Sequence, residues 1–215
     1  MKSDSNLQRD VLEEFKWDPE VDHAHIGVTA TSGVVTLSGF VPDYTQKVAA
    51  EKAARRVHGV RAIAEEIEVR FLGEPLTSDS QIAQRIIDSF SWSVSVPEKL
   101  DIKVEKGWVT LTGKVEWNYQ KEEARRTAGA ITGVKGVGNL IEVKAHASAL
   151  DVRDRIMAAF KRSSAVDANA IDVTVSGGTV KLTGKVHGWN ERLNAENAAW
   201  SAPGITKVED NIVFA

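Results

Sequence analysis

Apolar and polar positions alternate in one short pattern that this chain repeats three times. Val35 and Leu37 alternate with Val34, Thr36 and Ser38 between Gly33 and Gly39. The same alternation returns in Gly107-Trp108-Val109-Thr110-Leu111-Thr112-Gly113 and in Gly178-Thr179-Val180-Lys181-Leu182-Thr183-Gly184. A period of two puts Val35 and Leu37, Val109 and Leu111, and Val180 and Leu182 on one face, so each stretch predicts a strand buried on one side. The first glycine of each can supply the positive φ of a hairpin turn. Opening and closing glycines recur at the same offsets, 74 and then 71 residues, which predicts one domain copied three times.

Around each strand the apolar spacing changes to that of helices. Leu7, Val11, Leu12 and Phe15 mark an opening helix after Ser3, Asp4 and Ser5 as candidate caps; Ile82, Ile86, Ile87 and Phe90 follow Ser78, Asp79 and Ser80. Val152, Ile156, Met157 and Phe160 repeat it, with Ser148 or Asp151 near the start. Asp18-Pro19 and Val96-Pro97 are the expected stops, because proline disfavours the helical region for the residue before it. A first strand follows, with Ile26 and Val28, Ile102 and Val104, and Val173 and Val175 inward; Val28 to Val35 is two residues longer than its counterparts, predicting a longer turn in copy one. A loop carrying Asp43-Tyr44, Trp117-Asn118-Tyr119 or Gly188-Trp189-Asn190 leads to a second helix. Ala50, Ala54 and Val57, Ala124, Ala128 and Ile131, and Ala195, Ala199 and Ala202 form its inward stripe. Gly59-Val60, Gly133-Val134 and Gly204-Ile205 end that helix and open a closing strand.

Each copy therefore reads α-β-β-α-β. The fold class is α+β: three tandem two-layer sandwich domains, each a three-stranded mixed sheet with two helices on one face. The expected boundaries are residues 1–74, 75–146 and 147–215, with Gly73-Glu74-Pro75 and Ala145-His146-Ala147-Ser148 as linkers. Copies of about 70 residues are near the lower limit of independent stability, so contacts between neighbours are expected.

Composition narrows the function classes. The net charge of −3 divides as −4 over residues 1–74, +1 over 75–146 and zero over 147–215. No basic field is available to neutralise phosphates, so nucleic acid is not an expected partner. No apolar run approaches the roughly 20 residues that span a bilayer, and the first residues lack the apolar core of a secretory signal. The expectation is a cytoplasmic protein, or a periplasmic one if a leader has been removed. Without cysteine there is no disulfide and no thiolate chemistry.

These motifs resemble the BON domain, a bacterial module with an opening helix, a V-x-L-x-G hairpin strand, an alanine-bearing helix, a G-V step and a closing apolar strand. Val35 to Gly39 with Gly59-Val60, Val109 to Gly113 with Gly133-Val134, and Val180 to Gly184 with Gly204-Ile205 carry the resemblance; Ile205 departs from the pattern. The resemblance implies a non-enzymatic binding module linked to phospholipid or cell-envelope association, osmotic stress and transport-associated roles. Its glycines and valines are folding positions, so no catalytic residue carries over. Most relatives are exported, whereas no leader is evident here.

Aromatic residues with one polar edge beside cations suit an anionic membrane surface. Trp117, Tyr119 and Trp189, with Lys121, Arg125 and Arg126, are the lipid-binding candidates, and anionic phospholipid at a membrane surface is the expected partner. Trp108, where copies one and three have Val34 and Thr179, and Trp200, where copies one and two have Arg55 and Gly129, are candidates for a surface between copies or subunits. On that second reading the partner is a protein. A third reading, a small-molecule or ion sensor, requires a pocket between copies. His23 and His25 near Glu20 and Asp22 lack a third ligand and counterparts elsewhere, so no metal site and no cofactor are assigned. There is no Gly-x-Ser-x-Gly elbow, no dinucleotide fingerprint and no phosphate-binding Gly-Lys-Ser loop, and no enzyme activity is expected.

Overall fold

The structure, a computed structural model, describes residues 2–71, 73, 77–97, 99–144, 152–163 and 166–215. Copy one comprises α1 (Asp4–Trp17), β1 (Ile26–Thr31), β2 (Val34–Val41), α2 (Tyr44–Arg56) and β3 (Ala62–Val69). Copy two comprises α3 (Asp79–Trp92), β4 (Leu100–Glu105), β5 (Trp108–Val115), α4 (Asn118–Gly129), β6 (Gly136–Asn139) and β7 (Glu142–Val143). Copy three comprises α5 (Val152–Arg162), β8 (Ile171–Ser176), β9 (Thr179–Val186), α6 (Trp189–Trp200) and β10 (Lys207–Phe214).

In every copy the V-x-L-x-G strand is central. It pairs antiparallel with the strand before it and parallel with the closing strand, giving the expected mixed sheet. β6 and β7 are two parts of one closing strand: both pair with β5 at the 28-residue offset that links β2 to β3 and β9 to β10. The cores match the apolar pattern. Leu7, Val11, Phe15, Leu37 and Ile67 are buried in copy one, Ile82, Ile86, Leu111 and Ile141 in copy two, and Ile156, Phe160, Leu182 and Ile212 in copy three. The alanine stripe lies beneath them, since small side chains let the second helix sit close on the sheet.

Compactness divides the chain into two units, Met1–Gly113 with Tyr119–Ile141, and Lys114–Asn118 with Glu142–Ala215. Copies one and two thus fall largely in the first unit and copy three in the second.

Three local expectations are corrected. The hairpin turn of copy one is not longer: Thr31 pairs with Val34 across Ser32-Gly33, as Glu105 pairs with Trp108 across Lys106-Gly107. Both central residues have φ between 52° and 83°, the two-residue turn that matches strand twist. Val28 points inward as expected but lies opposite Leu37; the residue opposite Val35 is Ala30, whose small side chain hides the register. In copy two the opening helix stops at Trp92, four residues before Val96, because Ser93 is already extended and its N–H returns to the Phe90 carbonyl at 3.0 Å. Tyr44, Asn118, Tyr119 and Trp189 are not loop residues; they lie in the first turns of α2, α4 and α6. In copy one the cause is Asp43, whose carboxylate accepts the Gln46 N–H at 2.9 Å. Ser3 and Ser78 cap α1 and α3, the latter with a reciprocal Gln81 contact. The Ser148 or Asp151 cap and most of both linkers lie outside the described residues.

Charges tie α1 to α2. Arg56 reaches both Glu14 and Asp18, the residue that ends α1. The Arg56 hydrogen bond, with a second from the Glu20 N–H, holds the Asp18 carboxyl below the ordinary aspartate range. A depressed folded-state value means this contribution is present above the ordinary aspartate range and disappears as pH falls through the lower folded value. Asp18→Asn should lower the urea midpoint at neutral pH, and the difference from the parent chain should close at acid pH. An undiminished difference at pH 2 would remove the ion pair as its cause.

Candidate functional site

The helix α4 carries most of the predicted lipid-binding residues, and its geometry separates them. Ala124 and Ala128 are buried against the sheet, which points Tyr119 and Arg126 outward; Tyr119 is 59% exposed. Lys121, two residues from Tyr119, lies about 160° around the helix from it. Arg126 pairs with Glu123 and Arg125 with Glu122, both on the same helix. Trp117 precedes α4 and is partly exposed. Trp189, at the start of α6 in the other unit, is half-buried against Phe214 at 5.2 Å, with the Arg192 guanidinium over both rings.

Lys121 has counterparts with a clear task. Lys47 pairs with Glu65 at 2.8 Å and Arg192 with Asp210, each tying the second helix to the closing strand. Those carboxylates also accept a strand N–H two residues on, from Ile67 and Ile212. In copy two the acid is replaced by Asn139, which keeps the strand contact to Ile141 and donates to the Lys121 carbonyl instead. The Lys121 ammonium is thereby left without an ion-pair partner among the described residues.

Arg125 faces copy one. Burial lowers its pKa, but the Glu122 charge and hydrogen bond and a contact from the Tyr44 phenol outweigh that, holding the guanidinium above its ordinary range. The Tyr44 ring lies on Gly129 so closely that a Cβ there would be 3.0 Å from it. Between α2 and α4 runs a groove of about 360 Å3, floored by Val48 and Ala49 and flanked by Tyr44, Tyr119, Lys52 and Arg126. Tyr119, Arg125 and Arg126 are legible in the sequence as candidates, whereas Lys52 and the groove are not, because the groove needs two helices 74 residues apart. Gly129→Trp, which installs the residue found at this place in copy three, should displace Tyr44 at a cost of about 1–3 kcal/mol. Faster hydrogen exchange at the start of α2 and the end of α4 would report it; unchanged exchange would show that the ring does not depend on Gly129.

The most exposed aromatic residues are ones the apolar pattern passed over. Trp17 is 83% and Trp92 is 88% exposed, and Val94 is fully exposed. Trp17 and Trp92 hold equivalent places, two residues beyond the buried Phe15 and Phe90, where a helix turns the side chain about 160° away from the core. Copy three has Arg162 there. Ser89 to Pro97 contains no charge, in a chain with 27% charged residues. That neutral run was the signal available in the sequence.

Trp108 is 56% exposed on the open sheet face and lies over Gly136 of the neighbouring strand, whose missing side chain makes room for the ring. Leu140, also exposed, is on the same face. Trp200 packs against the core of copy three. His25 stacks on Phe40 at 4.4 Å, and among the described residues no three His, Asp or Glu side chains converge as a metal site.

This is a tandem array of small two-layer α+β domains, each folded around its own V-x-L-x-G strand. The chain belongs to the BON domain family, whose model matches residues 3–70, 78–145 and 148–215. It is similar to osmotically-inducible protein Y of Escherichia coli strain K12, 34% identical over 140 residues, covering 58% of this chain and 67% of that protein. Two solved structures of CdsD, a structural protein of the type III secretion system of Chlamydia trachomatis, align at a TM-score of 0.27. One is 15% identical, over 98% of this chain and 92% of its own; the other, a C-terminal domain, is 14% identical over the whole of both.

Proposed function

We propose that this protein is a non-enzymatic binder of phospholipid surfaces that acts in osmotic stress and attaches peripherally through Trp92 and Val94 at the end of α3, hereafter the tip of copy two. The observation that carries this reading is the exposure of Trp92 and Val94 within an uncharged run. An indole has an apolar body and a polar edge and partitions to the boundary between headgroups and acyl chains. No described helix is long and apolar enough to cross a membrane, and the attachment proposed is shallow insertion of these side chains. Trp17 supplies a weaker second contact, because Glu13, Lys16, Asp18 and Glu20 surround it in sequence. The Lys121 ammonium and the Tyr119 face of α4 add attraction to anionic headgroups, limited by the Arg125 and Arg126 pairing with neighbouring glutamates. Similarity to an osmotically inducible protein supports the stress context.

Flotation with neutral and anionic phospholipid vesicles at low and high salt tests this. Attachment to both vesicle types that survives high salt supports insertion by the tip. Attachment only to anionic vesicles, lost with salt, would transfer the role to Lys121 and α4. Absence of flotation throughout would overturn the lipid reading in favour of a protein-interaction module, for which the exposed Trp108 and Leu140 on the open sheet are the favoured surface.

A further inference from the structure

Within the first unit, a second cavity of about 760 Å3 opens where the start of α2 meets the start of α3, the β4–β5 turn and the loop after α4. Its size falls in the range of small-ligand sites, which favour junctions between domains. Tyr44, Phe71 and Pro42 from copy one and Ile131 from copy two supply apolar wall. Among the described residues, four charged side chains line it: Asp43, Asp79, Lys106 and Lys135.

The two carboxylates are engaged in capping and turn hydrogen bonds. Asp43 accepts the Gln46 N–H and the Thr45 hydroxyl, and Asp79 accepts the N–H groups of Lys106 and Gly107 at 2.7 and 2.9 Å. The helix starts are therefore capped and offer no anion site of their own. The two ammoniums are different. Neither Lys106 nor Lys135 has a side-chain hydrogen bond or ion pair among the described residues. The two residues leave the main chain on the same side of the cavity, because the Lys135 N–H donates to the Gly107 carbonyl at 2.8 Å and so fixes the strand end beside the turn.

Unmatched cations beside aromatic wall call for an anion with a flat apolar body. We propose that this cavity binds a small aromatic carboxylate, with its carboxylate between Lys106 and Lys135 and its ring against Tyr44, Phe71 and Ile131. This site is separate from the tip at Trp92 and does not depend on membrane attachment. It gives copies one and two a ligand at their junction, and Tyr44 lines both this cavity and the α2–α4 groove.

The test titrates the full chain with 2-naphthoate, using 2-naphthamide and acetate as controls, by calorimetry and by amide shifts in NMR. The expected result is saturable naphthoate binding that shifts the amides of Thr77, Ile131, Thr132 and Lys135, with both controls at least about tenfold weaker. The double variant Lys106→Gln, Lys135→Gln should lose about tenfold in affinity while keeping its melting temperature, since neither side chain holds the fold together. Thr132→Trp, an exposed residue on the rim, should block binding by filling the space. Equal binding of naphthamide, an unaffected double variant, shifts confined to other parts of the chain, or no binding would each overturn the proposal.

Discussion

Alanine at Gly39 is expected to unfold copy one. Gly39 has φ 106°, and a Cβ there would lie 2.0 Å from the carbonyl oxygen of His25. That oxygen belongs to backbone and cannot rotate aside, so the first strand must separate from the central strand or the peptide must tilt. Gly184 is the same case: φ is 140° and the Ala170 oxygen lies 2.1 Å away, accepting the Lys185 N–H at 3.1 Å. A carbonyl tucked under a left-handed glycine to reach the next N–H has the character of a bulge. Gly113 differs. Its φ is 128°, but the nearest atoms are the Leu100 side chain at 3.0 Å and the Lys99 oxygen at 3.3 Å, and a leucine can shift.

Gly39→Ala and Gly184→Ala should each cost about 4 kcal/mol or more, combining backbone strain with steric overlap. A domain this small has roughly 5 kcal/mol in total, so the affected copy should lose its native amide spectrum at 25 °C. Gly113→Ala should cost about 1–2 kcal/mol and leave copy two folded. Equal losses at all three positions would show that φ alone sets the cost and that the approach of the carbonyl is irrelevant.

The second large effect concerns function. Trp92→Ser with Val94→Ser should weaken vesicle binding by at least about tenfold, because burying an indole and a valine at the lipid boundary is worth more than the 1.4 kcal/mol that a factor of ten requires. Thermal stability should stay within about 0.5 kcal/mol of the parent chain, since neither side chain contributes to the core. The matched control is Trp117→Ser with Tyr119→Ser on α4. If that pair abolished flotation and the tip pair did not, attachment would belong to α4. A loss of stability on replacing Trp92 would show that its ring packs against protein and is not the anchor.

The apolar pattern revealed most of the fold because each copy is built from local signals. The two-residue alternation of Val35 and Leu37, the helical spacing of Leu7, Val11 and Phe15, and the glycine after each alanine stripe all operate within a few residues of chain. Where a local signal is weak, the sequence misleads. Ala30 is apolar but small, so in sequence the strand reads as ending at Val28 with a turn longer than it is, and Asp43 resembles a loop residue although its carboxylate starts α2.

The candidate site was legible residue by residue but not as a place. Tyr119, Arg125 and Arg126 lie close in sequence, yet helix geometry turns Lys121 away from Tyr119 and gives Arg125 to Tyr44. Exposure of Trp17 and Trp92 was implicit two residues beyond each buried phenylalanine, once the helix was known to continue that far.

The sequence by itself determined the three copies, their α-β-β-α-β order, the inward face of every strand and the absence of the common catalytic motifs. Backbone periodicity and turn stereochemistry set those features over spans of a few residues. Only the tertiary structure decided which aromatic rings remain outside, that Tyr44 rests on Gly129, and that unmatched lysines line the cavity at the junction of copies one and two. Those features depend on side chains from distant segments meeting in space, and no interval of sequence encodes such a meeting.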